Sequence, residues 1–263
     1  MAEQEQVNIV CLKWGKRYPA AFTNILYASV KRHLHRPFRF VCFTDDAAGL
    51  DADAAGLDAG IDAQPLPECP GEAVLPQGPW PNIFVKLCLF RDGLAGLKGP
   101  TLFFDVDVSI QQDIDCLFDY KPGKFCIIHN WVELRKRLFR RRPQIGNSSC
   151  FRFEAGKSNY IYETFLREMA DAVDHSKYPT EQAFMTHAAG EVHWWPAQWV
   201  KSFKRTCVLP FPFNLFLTPR KPNTRVLVFH GNPDPDQAVA GFWGKKLHHA
   251  VRPCRWILED WHA

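Results

Sequence analysis

The sequence contains no CxxC pair: its nine cysteines, at positions 11, 42, 69, 88, 116, 126, 150, 207 and 254, are scattered and odd in number. That pattern excludes a paired-cysteine zinc site and a disulfide framework, and it fits reduced core residues of a cytoplasmic protein. No apolar run approaches the roughly 18 residues of a membrane span. Residues 1–10, MAEQEQVNIV, are acidic and amide-rich where a signal peptide is basic and apolar, so none is expected. An excess of one charge is lacking too. Lysines and arginines number 32 against 28 acids, a formal net charge of +4, which is a mild bias toward anionic partners and too little for a nucleic-acid binder.

What is present suits an enzyme core. With 263 residues, 46% of them hydrophobic, the chain can bury a sizeable interior as one domain. Residues 7–12 read as a buried strand, and Lys13, Trp14 and Gly15 follow as a turn. A basic group, a flat ring and a glycine at that place suit a phosphate and a base, or simply a loop with one packed indole. Pro19 opens a helix whose Phe22, Ile25, Leu26 and Val30 recur at helical spacing. Residues 39–44 form a second strand ending in Asp45 and Asp46, where an acid can hold a ribose or base edge, or cap a helix. Strand, helix, strand favours a parallel pair.

Residues 49–62 read as a surface loop or marginal helix, and the prolines between Pro65 and Pro81 keep the following chain extended and irregular. Residues 84–97 return to helical periodicity, with Lys86 inside an otherwise apolar segment, to snorkel or to meet a phosphate or carboxylate. Then comes the stretch 101–110, TLFFDVDVSI. Its apolar start reads as a central strand with Asp105 and Asp107 near the carboxyl end, where ligands of open α/β sheets collect. An extended backbone puts both carboxylates on one side, within reach of one Mn²⁺ or Mg²⁺. By spacing alone, two solvated acids at a strand end are equally good.

Downstream, residues 113–120 suggest a short helix or turn and 125–128 another strand. Residues 131–142, WVELRKRLFRRR, are the most basic segment. Arg135, Lys136, Arg137, Arg140, Arg141 and Arg142 suit an anionic lipid surface or a phosphorylated acceptor, or form a solvated loop; the absence of interleaved aromatics argues against base stacking. Residues 146–153 read as a polar turn entering a strand, 159–173 as an amphipathic helix, and Thr180 as the cap of a helix with Glu181 in its first turn. Trp194, Trp195 and Trp199 can stack on a sugar or bury against the sheet. A last strand, 225–229, stops at His230 and Gly231, before the turn-rich run Asn232, Pro233, Asp234, Pro235 and Asp236.

Together these pieces resemble the nucleotide-sugar-dependent glycosyltransferases of GT-A fold, in particular the glycogenin and lipopolysaccharide galactosyltransferase types of family 8. The strongest span is 84–120: a lysine-leucine helix, a strand ending in Asp-x-Asp, and an acidic turn before Leu117 and Phe118. The resemblance implies a single α/β domain with a Rossmann-like, mixed and mostly parallel sheet flanked by helices. Its nucleotide-binding half is then about 1–120, and its sugar and acceptor half about 121–263. It also implies Mn²⁺ or Mg²⁺ held by Asp105, Asp107 and His230 on the diphosphate of a nucleotide-diphosphate sugar, UDP being the family default. The remaining assignments are Asn147 on the donor sugar and the pair Glu181 and Gln182 beside the anomeric carbon. Transfer is then expected to a glycan or lipid-linked acceptor with retention, at the inner membrane face if the basic segment binds lipid. Glu181 replaces the usual aspartate. The lysine that follows the family's histidine loop has no counterpart, which leaves Lys86, Lys245 and Lys246 for the pyrophosphate.

Two rival readings use the same residues. In a haloacid-dehalogenase-like phosphatase Asp105 is the nucleophile and Asp107 the acid and base. That reading requires a motif near the start of the chain and a later acidic pair, of which Glu259 and Asp260 are the best available. A non-catalytic sugar-binding protein of the same fold is the other.

Overall fold

The computed structural model describes residues 6–51, 60–70, 83–131 and 144–263. The basic run from Arg135 to Arg142 and most of the Ala/Gly/Asp and proline-rich stretches lie outside the described residues.

Strand β1 (Val7–Lys13) is buried along its whole length, which explains its lack of alternation. Helix α1 (Ala20–His33) begins after Pro19 and turns Phe22, Leu26, Tyr27 and Val30 inward. It returns the chain to β2 (Phe38–Thr44), which pairs in parallel with β1 from Val7 opposite Phe38 to Lys13 opposite Thr44. An edge strand, β3 (Asp62–Pro65), extends the sheet in parallel, in a stretch expected to be irregular. Proline is tolerated there because it ends an edge strand, where the missing N–H breaks no inner ladder.

Residues 84–97 do not make one helix. Helix α2 (Val85–Cys88) spans a single turn, and Gly93 at φ 71° breaks the path before a 3₁₀ turn at Leu94–Gly96. The apolar side chains are buried all the same, so periodicity reported burial correctly and helix length incorrectly. Strand β4 (Gly99–Phe104) then runs parallel to β1. Next come β5 (Val108–Ile110), helix α3 (Cys116–Asp119), β6 (Cys126–His129) and the ten-residue β7 (Gly146–Ala155), which is antiparallel to both β4 and β6. The polar run at 146 is therefore strand from its first residue. The amphipathic segment that follows divides into α4 (Asn159–Arg167) and α5 (Met169–Ala172), and Thr180 caps α6 (Glu181–Ala189) by accepting the Ala183 N–H. The last elements are β8 (His193–Trp194), β9 (Val200–Ser202), β10 (Val226–Val228) and α7 (Pro235–Ala240).

Among the described residues these strands form a seven-stranded sheet ordered β3-β2-β1-β4-β7-β6-β8 and a three-stranded sheet ordered β5-β10-β9. The architecture is α/β, a central mixed and largely parallel sheet flanked by helices. Both faces of the large sheet are covered, because alternate residues of one strand enter different apolar clusters. Ile9 and Cys11 pack with α1, while Val10 and Leu12 pack with α2, α4 and α6. Seven of the nine cysteines are buried.

One cation sits inside this core. Arg152 on β7 is 1% exposed and donates to four carbonyls, those of Leu117, Phe118, Lys121 and Lys124, holding the end of α3 against the sheet. Arg152→Leu leaves those acceptors buried without donors, a loss of about 2–4 kcal/mol. The expected outcome is a melting temperature lower by roughly 5–15 °C, at about 2–4 °C per kcal/mol; an unchanged melt refutes this anchoring role.

Candidate active site

The Asp-x-Asp stretch does not stay extended. The Asp105 N–H is the last link of β4 to β7, donating to the Ser149 carbonyl at 3.0 Å, and the Val108 N–H then turns back onto the Asp105 carbonyl at 3.4 Å. The chain leaves the large sheet through this turn and enters the small one as β5. Buried Val106 fills the core beneath the turn. The two carboxylates therefore meet different partners, contrary to the expectation from an extended strand.

Asp105 faces Lys86, whose Nζ lies 2.7 Å from Oδ1. Lys86 is buried: it rests over the Phe103 ring and approaches the Ser148 carbonyl and hydroxyl at 3.4 and 3.3 Å. Burial pushes its pKa down, but Asp105, Glu181 and Asp107 push harder the other way, so it stays a cation. Asp107 faces Tyr18 and Asp234. The Tyr18 hydroxyl lies 3.1 Å from Asp107 and 3.3 Å from Asp234, and Arg17 pairs with Asp234 at 3.0 Å. Burial, then the charges of Asp105 and Asp234, push the Asp107 carboxyl up to about 8.

A second group joins from β7. Opposite β6 the register jumps, Ile127 facing Phe151 while Ile128 faces Asn147, so the residues between bulge. The bulge docks on the start of α6. The Gly146 N–H donates to Thr186 at 2.8 Å, the Ser148 N–H to Gln182 Oε1 at 3.2 Å, and the Ser148 hydroxyl to Glu181 at 2.8 Å. A Cβ on Gly146 would meet the tip of the Ile127 side chain at 2.6 Å and Thr186 Oγ1 at 3.1 Å, so a larger residue requires Ile127 to move. Glu181 is buried and its pKa is raised, chiefly by desolvation, with Lys86 and Ser148 opposing. Asn147 is buried and accepts the Ser149 N–H.

His230 follows β10. Its Nε2 lies 2.7 Å from the Ser202 hydroxyl on β9, and its ring stacks on Trp131. Burial, with Lys204 and Arg205 nearby, pushes it down to about 4, which leaves a neutral imidazole at neutral pH. Gly231 adopts φ 65°, and a Cβ there would lie 3.2 Å from the Lys204 ammonium. The first loop closes on itself: Lys13 Nζ donates to the Asp46 carbonyl at 2.9 Å, Gly15 N–H donates to Asp45 at 2.8 Å, and Trp14 packs partly buried against the α2 side.

The structure thus gathers Asp105, Asp107, Lys86, Glu181 and Gln182 around one bulge and one turn, with Asn147 beside them. The donor atoms of Asp105, Asp107 and His230 do not all lie within 4.8 Å of one another. Among the described residues the group that meets that spacing is His35, Asp113 and Asp115. Those donor types are able to chelate a metal ion. There, however, His35 lies 2.9 and 2.8 Å from the two carboxylates, and Arg36 and Arg225 hold them as well. The indoles are mostly structural. Trp195 is buried with its N–H on the Cys150 carbonyl, and Trp199 packs edge-on against Tyr120, so neither is placed to stack on a sugar. Arg17, Tyr18 and Asp234 escaped the sequence reading. The nearest signal was the loop of acids after His230, which has no visible relation to residue 17 in sequence.

Neither a protein-family profile nor a curated protein sequence matches the chain. Solved structures do match. The chain superimposes on the crystal structure of the galactosyltransferase LgtC in complex with donor and acceptor sugar analogues. The TM-score is 0.59 at 17% identity, covering 92% of this chain and 91% of the other. The fold is GT-A-like. In this GT-A-like frame the acid turn after β4, the β7 bulge and the loop after β10 lie at strand ends, where such sheets leave room for ligands.

Asp107 also makes the site sensitive to pH. Its ordinary value is 3.8 and its folded value about 8, so between those limits the folded protein holds a proton that the unfolded chain has released. The stability this contributes is complete below the lower value and is lost as pH rises through the upper one. Thermal melts in a chelator from pH 6 to 9 are expected to fall more steeply for wild type than for Asp107→Asn, by about 2 °C or more. Parallel curves would overturn the assignment of a protonated Asp107.

Proposed function

We propose that the chain transfers a sugar from a nucleotide-diphosphate sugar, UDP-linked by preference, to a hydroxyl of a glycan or lipid-linked acceptor. The observation that carries this reading is the surplus of carboxylate in a GT-A-like fold, three buried groups, Asp107, Asp234 and Glu181, beside the half-buried Asp105. Among the described residues the ion pairs of Asp105, Asp107, Asp234 and Glu181 are those to Lys86 and Arg17, and the carboxyl groups of Asp107 and Glu181 are raised by burial first and by neighbouring carboxylates second. A divalent cation supplies the missing charge, and hard oxygen donors with a neutral imidazole suit Mn²⁺ or Mg²⁺.

Asp105 and Asp107 would hold that ion, with His230 presenting Nδ1 because Ser202 engages Nε2. When bound, the ion neutralises the departing diphosphate. Lys86, which pairs with Asp105, would offer its ammonium to the diphosphate. Lys13 and Asp45 frame the first loop for the nucleoside, beside Trp14, and Gly231 lets the backbone approach the diphosphate closely. Asn147 and Gln182 supply amide groups for the sugar hydroxyls. Glu181, buried and tied to Ser148, is a poor nucleophile, which favours departure and attack on the same face over a double displacement; either route retains the anomeric configuration. Against the phosphatase reading, both members of the late acidic pair, Glu259 and Asp260, are held by Lys221 at 2.8 and 2.7 Å.

A thermal-shift screen of nucleotide sugars with and without Mn²⁺ tests the proposal. One nucleoside diphosphate sugar is expected to raise the melting temperature only with metal, by about 2.7 kcal/mol of stabilisation at a hundredfold excess over Kd. Asp105→Asn is expected to abolish that shift and to cut turnover at least about a hundredfold with the fold intact. Metal-independent release of inorganic phosphate from a phosphomonoester, with no nucleotide-sugar shift, would replace transferase by phosphatase.

A further inference from the structure

Arg17 and Tyr18, from the loop before α1, meet Asp234, from the loop after His230. The Tyr18 hydroxyl lies 3.1 Å from Asp107 Oδ2 and 3.3 Å from Asp234 Oδ1, acids that stand 89 and 216 residues away in sequence. Among the described residues this hydroxyl is the one hydrogen-bonding partner of the Asp107 side chain. A phenol keeps its proton at neutral pH, so it has one hydrogen to share between two carboxyl groups. Because the contact is made to Oδ2, Asp107 is held by one oxygen and Oδ1 is left for a further ligand.

The hydroxyl is fixed from three sides. The Tyr18 ring packs on Phe22 of α1 with centroids 5.1 Å apart, and Phe22 packs in turn on Trp261. The Arg17 guanidinium lies 5.0 Å from the centre of the Tyr18 ring and donates to both Asp234 oxygens, at 3.0 and 3.3 Å. Asp234 stands at the N-terminus of α7, where its N–H donates to Gln237 Oε1 at 3.0 Å. A tyrosine that served packing alone would need one partner for its hydroxyl. This one bridges the acid turn after β4 to the loop that follows His230. Hydrogen bonds of that kind orient metal ligands, and their loss costs about 10–100-fold in affinity.

On the metal-dependent reading of the site, we infer that Tyr18 is a positioning residue for the ligand Asp107, and that the Arg17–Asp234 pair fixes Tyr18 in place. Tyr18 acts through Asp107, and this role needs no contact with sugar or nucleotide.

Mn²⁺ binding, measured by calorimetry and by loss of the free-ion EPR signal with no nucleotide present, tests this. Wild type is expected to bind the ion, and Tyr18→Phe, which keeps the ring on Phe22, to bind it at least about tenfold more weakly. Arg17→Gln sets two effects against each other: removing a nearby cation tightens Mn²⁺ binding by charge alone, whereas loosening Tyr18 weakens it. Weaker binding is expected. The Arg17 side chain is 33% exposed, so this variant keeps the test open if Tyr18→Phe loses its cooperative melt in chelator. Three results would overturn the inference: Tyr18→Phe within about twofold of wild type, Arg17→Gln tighter than wild type, or a wild type that binds no Mn²⁺. The first two leave the transferase reading standing. Weakened variants without any nucleotide-sugar shift would sustain this role for Tyr18 and remove that reading.

Discussion

The structure around the site depends on one electrostatic problem, the burial of several carboxylates at the end of β4. Asp107 and Glu181 are buried beside Asp105 and Asp234, and burial with like charges nearby disfavours their charged forms unless cations reach them. Lys86 reaches from α2 and Arg17 from the loop before α1, while the Tyr18 hydroxyl is shared between two acids. These contacts leave carboxylates outnumbering cations, and burial together with the charges of Asp105 and Asp234 raises the Asp107 carboxyl. Perturbed carboxylates of this kind cluster at functional sites.

The same problem accounts for local geometry that would otherwise look irregular. The turn at Asp105 separates the two acids and hands the chain from the large sheet to the small one. The bulge in β7 brings the Ser148 hydroxyl between Lys86 and Glu181, so that one short polar side chain links the cation of α2 to the acid of α6. Gly146 fits it without displacing Ile127, whose side-chain tip a Cβ there would meet at 2.6 Å. Arg152, two residues past the bulge region on the same strand, holds α3 through carbonyls and so keeps the opposite end of β7 fixed.

Much of the framework was legible in the residues. Continuous apolar runs marked β1, β2 and β4 because both faces of their sheet are buried, and the spacing of Phe22, Leu26 and Val30 marked α1 because only one of its faces is. Periodicity failed where burial persisted without a helix, as at 84–97, since apolar spacing reports the environment of side chains and not the backbone path between them. In the site, Asp105, Asp107, Lys86, Glu181 and Gln182 were visible as chemistry-bearing residues at element ends. Arg17, Tyr18 and Asp234 were not, because a pair 217 residues apart has no local pattern.

By itself, the sequence determined the order of the main elements from β1 to β4, the burial of their strands and the presence of an acidic pair after β4. These are properties of short stretches, fixed by hydrophobic spacing and turn-forming residues. Tertiary structure alone decided that the two acids part company at a turn, that Asp234 joins them, and that two tryptophans are structural. Each of those outcomes depends on which distant groups share a low-dielectric space or a surface, and local spacing carries no information about that.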